Sequence, residues 1–420
     1  MTAIATDSYH LFLDSFKSKL SDAAKLLTMP QLTPLRNQYP SYASPQTKIR
    51  LSMLATAMVD ALGGPAEFQG RFTFDPVTTM IPNDNFGLEP GVWTDDTSMA
   101  LCLARSLAHS KEVHDGFDEK DQLRAYLAWF NRGELSAIGR CFDIGGTTNR
   151  ALSMFDTYQG RPIKEILNII RRNLSAIVFS GNGSLMRVLP VGLTYWGDES
   201  QARVYAGRSS CTTHPSPLCV EACEAWTVAI VKIMQATATG TQYLKLDVIE
   251  HFSSYPYSNS KLQLPLNFPK SVTPLRSEAS LAEKEEYYWQ HHPLLQKVSR
   301  TNKGESGKEI PGLPYPMPSV KDVPSTGYVV DSLVAALYCF MGTQTFEEGA
   351  LMAVNMGSDA DTVGAIYAGL AGVWYAEDVP SEKFWSKRVI EWKEKLVKRE
   401  LVEQVTDELV AFSEKLTKNL

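Results

Sequence analysis

Apolar residues recur along this chain with the spacing of helices. The run "KIRLSMLATAMVDALGGPAEF" (48–68) is helical in composition, and Gly63, Gly64 and Pro65 punctuate its end. A loop follows to about Gly91. The next pattern runs from Asp95 to His109, with Met99, Leu103 and Leu107 on one face and small Ala100, Ala104 and Ala108 beside it. Residues 122–133, 147–158 and 162–174 predict further helices, and 215–237 predicts a long buried one. Strand-type alternation is rare, so the pattern predicts an all-α body with polar motifs in its loops.

The pattern weakens in three places. Residues 1–45 read as a peripheral N-terminal extension: a helix over 8–27, then a proline-rich wrap. Residues 240–325 hold prolines and a charged, aromatic stretch, and read as an insertion covering the core of one domain that spans 46–420. The periodic pattern returns at Tyr328, and 383–418 predicts one or two charged surface helices.

Composition adds exclusions. The 420 residues are 44% hydrophobic and 21% charged, enough apolar material for a sizeable core. A net charge of -6 with no basic block argues against direct nucleic-acid binding. Apolar runs fall short of the ~18 residues of a membrane span, and the N-terminus does not read as a signal peptide. Six scattered cysteines without a C-x-x-C pair suggest reduced thiols, and the expected location is cytoplasmic.

Candidate chemistry sits at two helix mouths. "WTDDTSMA" (93–100) places Asp95 and Asp96 between Thr94 and Thr97. One such carboxylate caps a helix well; two with two threonines exceed what a cap needs. A second mouth, "GSDADTVGAIYAGLAG" (357–372), carries Asp359, Asp361 and Thr362 before a helix rich in small residues. Two acidic mouths facing one another would suit Mg²⁺ or Mn²⁺, hard cations that take oxygen ligands. The alternative is two independent caps.

These motifs, together with "DALGGPAEF" (60–68), "CFDIGGTTNRAL" (141–152), "GNGSLMRVLPVGL" (181–193), "CTTHPSP" (211–217) and "STGYVVDSLVAALYCF" (325–340), resemble the ADP-ribosylglycohydrolase family in the same order. Its bacterial type member removes ADP-ribose from an arginine of dinitrogenase reductase. The resemblance covers roughly 48–375 outside the insertion. It implies a compact orthogonal helical bundle with a binuclear metal site. It implies Thr94, Asp95, Asp96, Asp359, Asp361 and Thr362 as ligands of two Mg²⁺ or Mn²⁺ ions. Glu67, Asp96, Asp143 and Asp361 are implied for catalysis. Asp143, Gly181, Asn182, Gly183, Ser184, Met186, His214 and Tyr328 are implied to line the substrate. The implied reaction is hydrolysis of the C1″ glycosidic bond of an ADP-ribosylated protein, most closely an N-linked arginine, with ADP-ribose as product. O-linked serine, a small ADP-ribosyl conjugate and a non-catalytic ADP-ribose binder are the alternatives. An unrelated phosphohydrolase would need His-Asp pairs, and the doublet His291-His292 lies in the insertion.

Departures from the family pattern touch three positions. Ser358 stands where a glycine is usual, and its small size predicts little damage. Gly146 replaces an asparagine after "DIG", which bears on the substrate. Val59 replaces a glycine before Asp60, which is expected to be structural.

Overall fold

A computed structural model describes residues 32–109 and 117–418. The helix expected over 8–27 lies outside the described residues. Within them the fold is all-α, and the only strand-like pairings are isolated bridges, one of which joins Gly181 to Tyr328.

Two helices form the axis of the molecule. Helix α1 (Pro45–Gly63) starts at Ser44, whose hydroxyl accepts the Thr47 N–H, with Pro45 in the first turn. It has no clean polar face because it is buried on nearly all sides from Ile49 onward. Helices α2 (Asp95–His109), α3 (Glu119–Arg132), α4 (Gly146–Thr157) and α5 (Ile163–Leu174) follow. Then come α6 (Leu189–Thr194), α7 (Glu199–Cys211) and the 23-residue α8 (Pro217–Thr239). The region 240–325 supplies α9 (Lys245–Ser254), α10 (Ser260–Leu266), α11 (Leu281–His291) and α12 (Pro293–Asn302). Helices α13 (Val329–Met341), α14 (Phe346–Val354) and α15 (Ala360–Tyr375) lead back to the centre, and α16 (Lys387–Lys395) and α17 (Arg399–Thr417) close the chain.

Every residue of α15 is buried. Its glycines explain how it lies so close to α1. A methyl on Gly364 would stand 2.9 Å from Val59 Cγ1, and one on Gly372 would stand 2.6 Å from Ser52 Cα. A methyl on Gly63 would meet Asp361 Cα at 2.5 Å. The end of α1 is thereby pressed against the acidic mouth of α15. At the far end, the buried Lys48 ammonium donates to Val373 O (2.6 Å), a carbonyl in the last turn of α15, and to Ser41 O (2.9 Å) in the segment before α1.

Two expectations about the periphery change. Helix α17 is not only a surface helix. Val402, Val405, Leu409 and Val410 are buried in the central cluster, because its apolar stripe faces α1 and α2. Nor does 240–325 merely lie over the core. Leu262, Leu266, Leu294, Leu295 and Val298 belong to the same continuous apolar cluster as α1 and α15. Residues 32–44 wrap against this region, with the Leu35 N–H donating to the buried Glu285 carboxylate at 2.6 Å.

Candidate active site

The "TDDT" mouth is held by a residue 34 positions upstream. Asp60, fully buried near the end of α1, accepts from the Thr94 N–H (3.0 Å) and hydroxyl (2.9 Å), and from the Thr97 N–H (3.0 Å) and hydroxyl (2.5 Å). It therefore caps α2 from another helix, satisfying N–H groups that the α2 backbone cannot. This explains Thr97, which serves the cap. The Thr94 hydroxyl donates its hydrogen to Asp60 or to Asp96 Oδ2 (3.1 Å) and keeps lone pairs for a cation.

The second mouth meets the first. The Thr362 hydroxyl donates to Asp96 Oδ2 at 3.2 Å across 266 residues. Asp359, at the α15 N-cap position, takes the Asn182 amide at 2.6 Å, and the same amide nitrogen donates to Ser332. Asn182 is placed by short antiparallel pairing of 180–182 with 327–329: Asn182 N–H to Gly327 O, and Val329 N–H to Ser180 O. Gly357 and Ser358 both have left-handed backbones, with φ of 66° and 59°. What matters at Ser358 is this φ more than the side-chain size first considered, since glycine adopts it without strain. Ser358 also ties the mouth to the loop after Glu67. It accepts from the Phe68 N–H at 2.6 Å and donates to Gln69 O at 2.7 Å.

Glu67 is buried rather than on the surface. Its carboxylate, with those of Asp359 and Asp361, forms a group whose oxygens lie within 4.8 Å of one another. Asp95 and Asp96 stand outside that tight triad. The position of Glu67 within this group was not legible from the residue itself; only the family resemblance singled it out. Three buried carboxylate oxygens have no hydrogen-bond partner: Glu67 Oε2, Asp96 Oδ1 and Asp361 Oδ1. Burial and the neighbouring carboxylates push Glu67 up to about 10 and raise Asp95, Asp96 and Asp361 well above the ordinary range. Burial also raises Asp143 and Asp359, and lifts Asp60 to about 6. Such a cluster is costly without positive charge, and hard divalent cations would meet both the charge and the orphaned oxygens.

Above it opens a cavity of about 610 Å³. Glu67, Asp95, Asp143, Asp359, Asp361 and Thr362 wall its acidic part; Gly181, Asn182, Gly183, Met186 and His214 wall another. Gly183 has a steric reason, since a methyl there would come within 2.9 Å of His214 Cε1. His214 is neutral, held down to about 3 by burial and then by Arg187. Arg187 can only donate, and it does so to the Thr213 hydroxyl (2.7 Å). The Thr213 hydrogen is then free for His214 Nδ1 at 2.8 Å, which leaves the proton on Nε2.

Not every expected residue faces the cavity. Thr94 and Asp96 lie beneath its floor. The Ser184 hydroxyl is taken up by Ser210 and Cys223, and Tyr328 stands beside the wall rather than in it. His292 binds Leu266 O through Nε2 and caps α12 through Nδ1, which makes it a structural residue. Sequence reasoning missed the wall residues Phe68, Gln69, Thr147, Thr148 and Gly327. It also missed Arg71, whose buried guanidinium binds Met356 O, Pro318 O and Val323 O and so fixes the approach to Ser358.

The family model for ADP-ribosylglycohydrolase matches residues 41–418. The chain belongs to the ADP-ribosylglycohydrolase family. It is 26% identical over 369 residues to the ADP-ribosylarginine hydrolase Tri1 of Serratia proteamaculans, covering 86% of this chain and 78% of that one. It is 26% identical over 372 residues to the ADP-ribosyl-[dinitrogen reductase] glycohydrolase of Rhodospirillum rubrum, covering 86% and 95%. A solved ADP-ribosylglycohydrolase-related protein complex superposes with a TM-score of 0.54 at 28% identity, over 88% of this chain and 99% of the other. These likenesses support an ADP-ribosyl hydrolase. No described helix is long and apolar enough to cross a membrane.

Proposed function

We propose that this protein hydrolyses the C1″ glycosidic bond joining ADP-ribose to a protein arginine. One observation carries the reading: a cavity walled by carboxylates from distant motifs, two of which, Glu67 and Asp361, have an unpartnered buried oxygen, with a third such oxygen on Asp96 just beneath. A volume of about 610 Å³ suits a nucleotide-sized ligand. Arginine is favoured by the likeness to the Serratia relative, an ADP-ribosylarginine hydrolase. The six cysteines are free, in keeping with a reducing compartment such as the cytoplasm.

Thr94, Asp95, Asp96, Asp359, Asp361 and Thr362 would hold two Mg²⁺ or Mn²⁺ ions, with Glu67 part of the same acidic group. Bound there, the ions supply charge neutralisation and Lewis acidity toward water and the ribose hydroxyls. Asn182 orients Asp359. Gly181, Gly183 and the His214 Nε2–H offer an uncharged, close-fitting wall for the diphosphate, with Met186 beside it. Ser184 contributes through its backbone, and Tyr328 lies toward the adenine. Asp143 and Glu67 stabilise the positive charge that builds on the ribose as the bond breaks. Water adds its hydroxyl to C1″, the C1″–N bond breaks, and the departing guanidine nitrogen takes the proton. Glu67, in the same acidic group beside the cavity, is placed to relay that proton from the water.

A panel of arginine-, serine- and small-molecule-linked ADP-ribose substrates, each with and without EDTA, tests this. Turnover is expected on the arginine substrate, lost with EDTA and lost together with metal binding in Asp361→Ala. Glu67→Gln should slow turnover by roughly 10²–10⁴-fold while ADP-ribose still binds. Full activity of Asp361→Ala would remove the metal assignment. Binding of ADP-ribose without any turnover would make the protein a reader instead.

A further inference from the structure

Phe68 is an aromatic side chain in an unusual position. It is 68% exposed, yet it walls the cavity directly after buried Glu67. Its φ is 63°, a conformation that glycine adopts without strain and a phenylalanine does not. Its N–H donates to Ser358 O, and the Ser358 N–H donates to the adjoining Gln69 O, so its backbone is pinned to the second acidic mouth. Its ring meets Phe86 edge-on at 6.1 Å, and Phe86 meets Phe142 edge-on at 5.4 Å. Phe142 immediately precedes Asp143, another wall residue.

Core packing does not account for an exposed phenylalanine held in this way. A ligand does. One part of the cavity offers an aromatic ring next to the carboxylates of Glu67 and Asp143. Another offers glycines, an amide and a neutral histidine. An anionic diphosphate suits the second. A planar cation has the opposite preference, since aromatic faces and carboxylates together recognise guanidinium. We propose that Phe68 is a specificity residue on the leaving-group side, where its ring stacks on the guanidinium of the ADP-ribosylated arginine. The inference rests on the arginine reading above.

The test compares the wild type with Phe68→Ala and Phe68→Tyr in the presence of Mn²⁺. The assays are turnover of an ADP-ribosyl-arginine peptide and calorimetric binding of free ADP-ribose. Since the side chain is exposed, both variants should melt with the wild type. Phe68→Ala should lose about tenfold in kcat/KM, chiefly through KM, and Phe68→Tyr should keep it within about twofold. ADP-ribose affinity should be the same in all three. An unchanged KM in Phe68→Ala overturns the inference. So does a parallel loss of ADP-ribose affinity, which would place the ring on adenine. If the wild type itself turns over no arginine-linked substrate, the arginine reading fails and the inference with it. Wild-type turnover with an indifferent Phe68→Ala sinks the inference alone.

Discussion

Replacing Asp60 with asparagine would test how the first acidic mouth is held. The side chain keeps its shape and loses its charge. Its two oxygens now serve four donors, two from Thr94 and two from Thr97. In Asp60→Asn one oxygen becomes an NH₂ group that faces a threonine's N–H and hydroxyl. The hydroxyl can rotate and accept; the backbone N–H cannot. With the NH₂ toward Thr97, the Thr97 N–H in the first turn of α2 is left buried without an acceptor, at about 1–3 kcal/mol; with it toward Thr94, that N–H keeps only the longer 3.3 Å bond to the remaining oxygen. The remaining bonds change from charge-assisted to neutral, worth about 1 kcal/mol more. Loss of a charge close to Asp95 and Asp96 works in the other direction, and Asp60 is already lifted to about 6 by burial. The net expectation is a loss of about 2–3 kcal/mol, larger with divalent metal present because the cations already relieve the repulsion. Thr94 is set by these bonds, so Mn²⁺ affinity should fall by about 10–100-fold, as when groups that orient metal ligands are changed. Urea unfolding with EDTA or Mn²⁺, plus Mn²⁺ titration calorimetry, would read both effects. Stability within about 0.5 kcal/mol of wild type and unchanged Mn²⁺ affinity would refute Asp60 as the group that positions this motif.

Two further predictions follow from packing and charge. Gly63→Ala places a methyl 2.5 Å from Asp361 Cα, where backbone must move; a loss of about 1–3 kcal/mol is expected with weakened Mn²⁺ binding, and a variant that melts and binds as the wild type would contradict the close approach. The metal-free protein should become less stable as pH rises. Glu67 is raised from 4.5 to about 10, and Asp60 from 3.8 to about 6, so the folded state holds protons that the unfolded chain releases between those values. That contribution is fully present below about pH 4 and is lost as pH climbs through the folded values. Divalent cations compete with those protons, so the rise in Tm on adding Mn²⁺ should widen from pH 5.5 to about 8.5; an increment independent of pH would argue against the cluster as the metal site.

Periodicity made the helices legible, because α3, α4 and α5 each bury one stripe that shows in the local sequence. The Asp-Thr clusters were legible because their density exceeded what a cap requires. The devices that join them were not. The Asp60 cap spans 34 residues, the Thr362–Asp96 contact 266, and the Arg71–Met356 bond 285. No local pattern announces such pairs, since each residue alone reads as an ordinary polar position near a turn. Ser358 shows the same limit from another side. Read by size, it is a harmless replacement for glycine; read by φ, it occupies a left-handed position and supplies both backbone bonds to Phe68 and Gln69. Those two bonds fix where Glu67 ends and where the Phe68 ring begins. The acidic floor and the aromatic wall are therefore set by one short backbone contact, and a change in that loop should move metal affinity and leaving-group selectivity together.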